Sequence, residues 1–235
     1  MLGVAAPAKL TRHIQLLAAL VAMELLNPLL SKEQPTTRIL SIAVFATVCA
    51  AVFRAVLDTT AQRWAGAILA GAAIALNFAR LLVPADLHLP TEVALDGFAA
   101  ALYMFVLAVI VSHMFAARQL RSDDVVGAFS GYILIALIWG RLYAMVWMAL
   151  PGSFRISPDV TWQLGNWHTL QALFDYYSFT TISSIGYADI TTTRPVSNTL
   201  VWLEVMCGQF YLAVVVASIV GMRLAQTLAP PREGS

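Results

Sequence analysis

The sequence is poor in charged residues. Of its 235 residues only 11% are charged, while 60% are hydrophobic. A soluble domain carries about 25% charged residues, so a soluble globular protein is disfavoured. The charges that are present lie between long apolar runs, a pattern typical of chains for which lipid is the solvent. The sequence therefore predicts an integral membrane protein with membrane lipid as a partner.

Cysteine, histidine and net charge are also scarce. Cys49 and Cys207 both lie inside apolar runs, where they are expected to be packing residues and not a disulfide or a metal site. The four histidines lack the His-Glu-x-x-His spacing of a zinc enzyme, and no phosphate-binding loop is present. A net charge of +1 gives no reason to expect nucleic acid as a partner. Nothing in the sequence favours an enzyme or a bound cofactor.

Six apolar runs approach the ~20 residues that cross a bilayer as a helix. A seventh, Thr169–Thr181, is too short to cross and predicts a re-entrant helix. The expected fold class is an all-α membrane protein with this short helix and a loop between spans five and six. The six predicted spans are Ile14–Leu30, Ile39–Leu57, Trp64–Val83, Val93–Phe115, Val125–Leu150 and Asn198–Met222.

The basic residues predict the orientation. With both termini in the cytoplasm, eight Lys and Arg residues flank the cytoplasmic ends of the spans and five flank the outer ends. We therefore expect both termini to be cytoplasmic. The preference for Arg over Lys, 12 against 2, favours a bacterial chain and hence the bacterial inner (plasma) membrane. We expect a four-span unit at residues 1–124, a pore unit at residues 125–225 and a short cytoplasmic tail at residues 226–235.

The segment Ser184-Ile185-Gly186-Tyr187-Ala188 follows the short helix and precedes the last span. Backbone carbonyls can replace the water shell of a cation if successive residues alternate between right- and left-handed dihedrals. Gly186 reaches a positive φ without steric cost. A left-handed Ala188 would cost roughly 1–2 kcal/mol in each subunit.

This segment resembles the filter of the potassium-channel family, Thr-Val-Gly-Tyr-Gly, with Ser and Ala at the first and last positions. The resemblance covers about Val125–Met222. It implies a homotetramer around a single pore, with potassium as the transported ion and partner. Potassium would be bound by the carbonyls of Ser184, Ile185, Gly186 and Tyr187 and by the Ser184 hydroxyl, with Ala188 completing the filter.

The resemblance also assigns supporting residues. Tyr176 and Tyr177 stand where the family has an aromatic pair that braces the filter, and Asp189 matches the acid that follows it. Thr181 ends the short helix next to the filter. Gly208 stands at the usual hinge of the last span. We expect an apolar gate on one face of that span, formed by Leu212, Val216 and Val220.

Two ionisable residues of the pore unit lie within predicted spans, where charges are rare and usually paired. One hypothesis pairs Arg141 with Glu204. The alternative is that Glu204 accepts hydrogen bonds from the short helix or the filter while Arg141 reaches outward. Glu24 and Arg80 could pair in the leading spans, and Asp175 is expected to stabilise a helix end.

Four leading spans resemble a voltage-gated layout, but Gly97–Phe115 contains no Lys or Arg. A voltage sensor needs such a charge array, so voltage gating through this span is not expected. The predicted function is a passive, potassium-selective channel. The alternatives are a weakly selective cation channel and a non-conducting membrane protein with a channel scaffold. A transporter would show broken helices in both halves, and only one half has a broken segment.

Overall fold

The computed structural model describes residues 10–26, 35–55, 57–79, 88–116, 122–160 and 167–228. The described chain is mostly helical, and each predicted span and the short seventh run correspond to a helix. The elements in chain order are α1 (Leu10–Leu26), α2 (Pro35–Ala55), α3 (Thr60–Ala79), α4 (His88–Ala116), α5 (Ser122–Ala149), β1 (Phe154–Ile156), α6 (Trp167–Ile182), β2 (Ile190–Thr192) and α7 (Pro195–Leu228).

Three of the described helices are long and apolar enough to cross a membrane: Leu89–Phe115, Val125–Ala149 and Pro195–Gly221. They make the chain an all-α membrane protein by length and composition. Shorter apolar stretches, His13–Leu26 and Ile42–Phe53, lie in α1 and α2. The 16 residues of α6 rise about 24 Å, less than the ~30 Å hydrocarbon layer.

Local sequence explains several helix ends. Thr59 and Gln62 form a reciprocal cap at the start of α3, since Gln62 N donates to Thr59 Oγ1 at 3.2 Å and Thr59 N donates to Gln62 Oε1 at 3.1 Å. Pro35 and Pro195 occupy the first positions of α2 and α7, where a missing N–H leaves no bond unmade. Beyond α5, Gly152 has a φ of +80° in the turn towards β1.

The core runs without a break from the leading helices into α5. One buried cluster joins side chains of α1, α2, α3, α4 and α5, and α1 and α4 both pack on α5. A second cluster surrounds Tyr143 and Phe174, where α5 contacts α6. α5 is therefore the element that connects the leading helices to the region around α6.

A short antiparallel ribbon is the main departure from a purely helical fold. β1 and β2 pair with Phe154 opposite Thr192 and Ile156 opposite Ile190. The ribbon is fixed by Ser197, whose hydroxyl donates to the Ser153 carbonyl at 2.7 Å. It holds the chain that leaves the filter-like segment next to the chain that leaves α5.

Some predicted boundaries need adjustment. α6 is longer than the predicted Thr169–Thr181. α7 continues to Leu228, so the predicted tail begins within a helix, and residues 229–235 lie outside the described part of the chain. Arg80 also lies outside it, so the proposed Glu24–Arg80 pair is not described.

Candidate functional site

The segment that follows α6 has an alternating backbone. Ser184, Gly186 and Ala188 have φ values of +60°, +58° and +62°. Ile185 and Tyr187 are not among the positive-φ residues. Every second residue is therefore left-handed, which is the alternation that the sequence analysis expected around Gly186. We call residues 184–188 the filter strand.

Two of the three left-handed residues are not glycine. Left-handed backbone is uncommon for residues with a Cβ and costs about 1–2 kcal/mol each. Such strain persists only where the surroundings enforce it. At this site Ser184 N donates to the Thr181 carbonyl at 2.9 Å, and Ile185 N donates to the Thr180 carbonyl at 2.9 Å. These bonds fix the strand to the last turn of α6 without using any carbonyl of the strand itself.

The filter strand is exposed in the single chain. Ile185 is 56% exposed and Tyr187 67% exposed, although both side chains are large and apolar or aromatic. Thr180 and Thr181, at the end of α6, are buried instead. The strand thus presents a free face, while the helix end that supports it is packed inside the chain.

Asp189 is fixed at the end of the filter strand. The Tyr176 hydroxyl donates to Asp189 Oδ2 at 2.8 Å, and the Asp189 carbonyl accepts from Ser157 N at 2.7 Å. Ile190 N donates to Asp189 Oδ1 at 3.1 Å. Tyr176 and Asp189, both singled out in the sequence, therefore connect α6, the ribbon and the filter strand.

Tyr177 has a different role from Tyr176, because it is buried in an aromatic cluster. Its ring lies 5.1 Å from the ring of Tyr143 and 6.0 Å from the ring of Phe154, in edge-to-face geometry. Phe174 completes the group, 5.2 Å from Phe154. Such pairs add about 0.5–1.5 kcal/mol each beyond their buried area. The cluster holds α6 between α5 and the ribbon.

The structure contradicts the predicted Arg141–Glu204 pair. Glu204 is fully buried and accepts from the Tyr143 hydroxyl at 2.5 Å and from the Ser178 hydroxyl. The alternative prediction had two parts, one on Glu204 and one on Arg141. The first part, in which Glu204 accepts a hydrogen bond from the short helix, is supported because Ser178 belongs to α6. Glu204 ties α7 to α5 and α6 behind the filter strand.

Arg141 instead pairs with a carboxylate of α4. Its Nη1 lies 3.2 Å from Asp96 Oδ1, and the Arg141 side chain is 13% exposed, so it does not reach outward. Asp96 was missed because the sequence reasoning searched α4 only for positive charges. Asp96 lies seven residues inside the apolar helix Leu89–Phe115. Because an acid within such a helix is usually paired, its position could have indicated it as a partner of Arg141.

Asp175 does not stabilise a helix end. It is the ninth of the 16 residues of α6, is 1% exposed, and accepts from Gln171 Nε2 at 2.8 Å. It lies against Gly140 of α5, where an added Cβ would come within 3.1 Å of the Asp175 Cα. The absence of a side chain at Gly140 therefore permits α5 and α6 to approach closely.

Other contacts to the filter region were not anticipated from the sequence. The Tyr132 hydroxyl of α5 donates to the Ile182 carbonyl at 3.2 Å, at the end of α6. Gln209 Nε2 of α7 donates to Ser184 Oγ at 3.3 Å. Neither residue lies near the filter strand in sequence, so only the packing of α5 and α7 against α6 brings them there.

Gly208 is buried against Ile182, whose carbonyl oxygen would lie 3.3 Å from an added Cβ. This explains a small residue there by close packing, and a hinge at Gly208 stays a prediction because α7 is continuous through it. The three predicted gate residues, Leu212, Val216 and Val220, are 38%, 56% and 59% exposed.

Within the part of the chain that the structure describes, no group of three His, Cys, Asp or Glu residues could hold a metal ion. Comparison of the chain with protein-family models, curated proteins and solved structures found no match.

Proposed function

We propose that the protein is a homotetrameric ion channel that passes potassium passively and selectively. The observation that carries the proposal is the positive φ at Ser184, Gly186 and Ala188. An alternating backbone allows successive carbonyl oxygens to point to one side of the strand. Such oxygens can replace the water shell of a potassium ion as it enters.

One strand is only part of a binding site. A ring of carbonyls around an ion requires several copies of the strand, and the family that the motif resembles uses four. The exposed face of the filter strand supports this assembly, because large side chains such as Ile185 and Tyr187 are open in the single chain. In the proposed tetramer this strand lines the axis and its flanks contact neighbouring subunits.

α6 contributes electrostatically to the proposed pore. The C-terminal end of a helix carries about half a negative charge, and α6 ends at Ile182 directly before the filter strand. Four such ends directed at the axis would favour a cation there. Asp189 at the outer mouth would raise the local cation concentration further.

The proposed membrane arrangement has six spans with both termini in the cytoplasm, and α6 as a re-entrant helix. α4, α5 and α7 are long enough to cross. α1, α2 and α3 complete the set at 17, 21 and 20 residues. Irregular backbone such as the filter strand is tolerated at membrane depth only where it is enclosed by protein or lines water.

α7 is the proposed pore-lining helix. Only 17% of its apolar window is buried within the chain, compared with 50% and 56% in α4 and α5. Leu212, Val216 and Val220 recur every fourth residue, so they share one face and form the proposed apolar gate. Hydrophobic constrictions of this kind close a pore by excluding water.

Purified protein in lipid vesicles tests the proposal. Vesicles loaded with potassium should release it when they are diluted into a medium without potassium. In mild detergent the protein should migrate as a tetramer. The matched control is Gly186→Ala, because an added Cβ meets no atom of its own chain within 4 Å while the φ of +58° disfavours it. Equal flux through Gly186→Ala and wild type would contradict the assigned filter.

A second candidate, a weakly selective cation channel, is favoured by one observation. Two of the three left-handed positions, Ser184 and Ala188, carry a side chain. Strain at both ends of the filter strand would loosen the ion-binding sites there, so that they discriminate less between sodium and potassium. Comparable sodium and potassium flux would favour this candidate.

A further inference from the structure

A cluster of ionisable side chains lies where the leading helices contact α5 and α6. It takes one ionisable residue from each of four helices: Glu24 of α1, Asp96 of α4, Arg141 of α5 and Asp175 of α6. The three carboxyl groups all interact electrostatically with Arg141. Asp96 and Asp175 are 0% and 1% exposed. None of these residues touches the filter strand in the described contacts.

The hydrogen bonding of this cluster is incomplete. Four buried acceptor atoms have no partner among the described residues: Glu24 Oε1, Asp96 Oδ2, Asp175 Oδ2 and Gln171 Oε1. Among the described residues, the buried donor of the cluster that lacks a partner is Arg141 Nε. Gln171 is 3% exposed and already donates its Nε2 to Asp175, so its free oxygen lies at the same place. The buried atoms of the cluster that lack a partner among the described residues are therefore mostly acceptors.

The charge balance of the cluster is negative when all its carboxyls are ionised. Arginine cannot lose its proton in a protein, so the cluster has one fixed positive charge. If all three carboxyls were ionised, two negative charges would remain without a compensating charge among the described residues. Buried carboxyls in that situation take up protons, because an unpaired buried charge costs far more free energy than neutralisation. A bound proton also converts an acceptor oxygen into a donor.

A metal ion does not supply the missing charge, because no group of three acidic, His or Cys side chains within the described residues is arranged to hold one. Within the described ranges, the other ionisable groups that interact with the cluster add no positive charge. Glu92 of α4 interacts with Asp96. Tyr103, also of α4, interacts with Arg141 and Glu24, and Cys49 of α2 interacts with Tyr103. Glu204 of α7 is bonded elsewhere, to Tyr143 and Ser178.

We propose that Glu24, Asp96 and Asp175 form a proton-binding site that holds two protons at neutral pH, with Asp96 ionised opposite Arg141. The direct 3.2 Å contact to Arg141 assigns the charge to Asp96. The two protons then belong to Glu24 and Asp175, on α1 and α6. Loss of these protons would place like charges on the leading helices and on α6, and would push the two apart.

Infrared spectroscopy of the full chain tests proton binding without any ion flux. At about neutral pH the wild type should show a carbonyl band from protonated carboxyl groups. Glu24→Gln and Asp175→Asn should each remove about one proton's share of that band, and the double variant should remove both shares. The control is Asp58→Asn, an exposed carboxyl before α3, which should remove none.

The carboxamide variants keep the shape of the side chains, and the wild type alone provides a second test if a variant does not fold. A wild-type protein without a protonated-carboxyl band at neutral pH would overturn the proposal. A band that is equally strong in wild type and in the double variant would overturn it as well, because the protons would then lie elsewhere, for example on Glu204.

The effect on conduction rests on the proposed function and has its own measurement. Potassium flux through the wild type should fall as the pH becomes alkaline, whereas the Glu24→Gln, Asp175→Asn double variant should keep its flux. Protons found by infrared with flux that does not respond to pH would overturn the link to conduction. Absence of flux at every pH would count against the channel and would leave the infrared result unaffected.

Discussion

At the scale of single residues, the main structural feature is the strained alanine at the end of the filter strand. Ala188 has a φ of +62°, a conformation in which its Cβ approaches a carbonyl oxygen. Asp189 follows directly and is held by Tyr176 and by Ser157. These hydrogen bonds of Asp189 thus fix the chain directly after the strained Ala188.

Replacing Ala188 with glycine should relieve this strain. We expect Ala188→Gly to stabilise the folded subunit by about 1 kcal/mol, since the left-handed cost of roughly 1–2 kcal/mol is partly offset by the larger chain entropy of glycine. Thermal unfolding of the purified protein measures the effect. The matched control is Ala213→Gly in α7, which should be destabilising because the residue lies in a helix. A destabilised Ala188→Gly protein would contradict the left-handed assignment.

The Tyr176–Asp189 hydrogen bond gives a second residue-scale prediction. Tyr176→Phe removes the donor and keeps the ring, so the end of the filter strand should be held less firmly. A bond to a charged acceptor contributes about 1.5–3 kcal/mol when buried, and less here because Tyr176 is 38% exposed. A double-mutant cycle with Asp189→Asn, read by thermal unfolding, should show coupling. Additive losses would mean that the bond contributes nothing.

At the scale of secondary structure, long apolar runs were sufficient to locate the helices. The sequence also predicted the filter strand, because Gly186 sits in a recognisable motif. It could not predict the partners of Arg141 or Glu204, since pairing depends on how α4, α5, α6 and α7 are rotated against one another. The ribbon was missed because three-residue strands such as Phe154–Ile156 leave no usable period in the sequence.

The corrected charge pair predicts where energetic coupling lies. Arg141→Met and Asp96→Leu should each destabilise the protein, by at most about 3–5 kcal/mol, because each removes the direct partner of a buried charge. The double variant should lose much less than the sum. The matched cycle between Arg141→Met and Glu204→Gln should be close to additive, since Glu204 bonds to Tyr143 and Ser178 instead. Thermal unfolding decides between the two pairings, and strong coupling to Glu204 would restore the pairing that the structure contradicts.

At the scale of the whole molecule, the leading helices and the proposed pore unit share one core. α1 and α4 pack on α5, and the buried cluster around Arg141 continues that contact to α6. The leading helices therefore cannot move freely relative to α6 without disrupting this buried cluster. The division into a four-span unit and a pore unit at residue 125 stays a prediction.

Voltage dependence is a whole-molecule prediction. α4 carries no Lys or Arg between Gly97 and Phe115, so movement of this helix transfers no positive charge. Moving one elementary charge through 100 mV contributes about 2.3 kcal/mol. We expect the open probability to change only weakly with voltage in planar bilayer recordings. A steep dependence equivalent to several charges would locate a sensor elsewhere in the chain.

The central claim is that the filter strand selects potassium, and the most direct test is the reversal potential with potassium on one side of the bilayer and sodium on the other. We predict that the reversal potential lies far from zero, in the direction of the potassium equilibrium potential. We also predict that Gly186→Ala abolishes the current. A reversal potential near zero would show that sodium passes as readily as potassium, and it would contradict a potassium-selective filter at Ser184–Ala188.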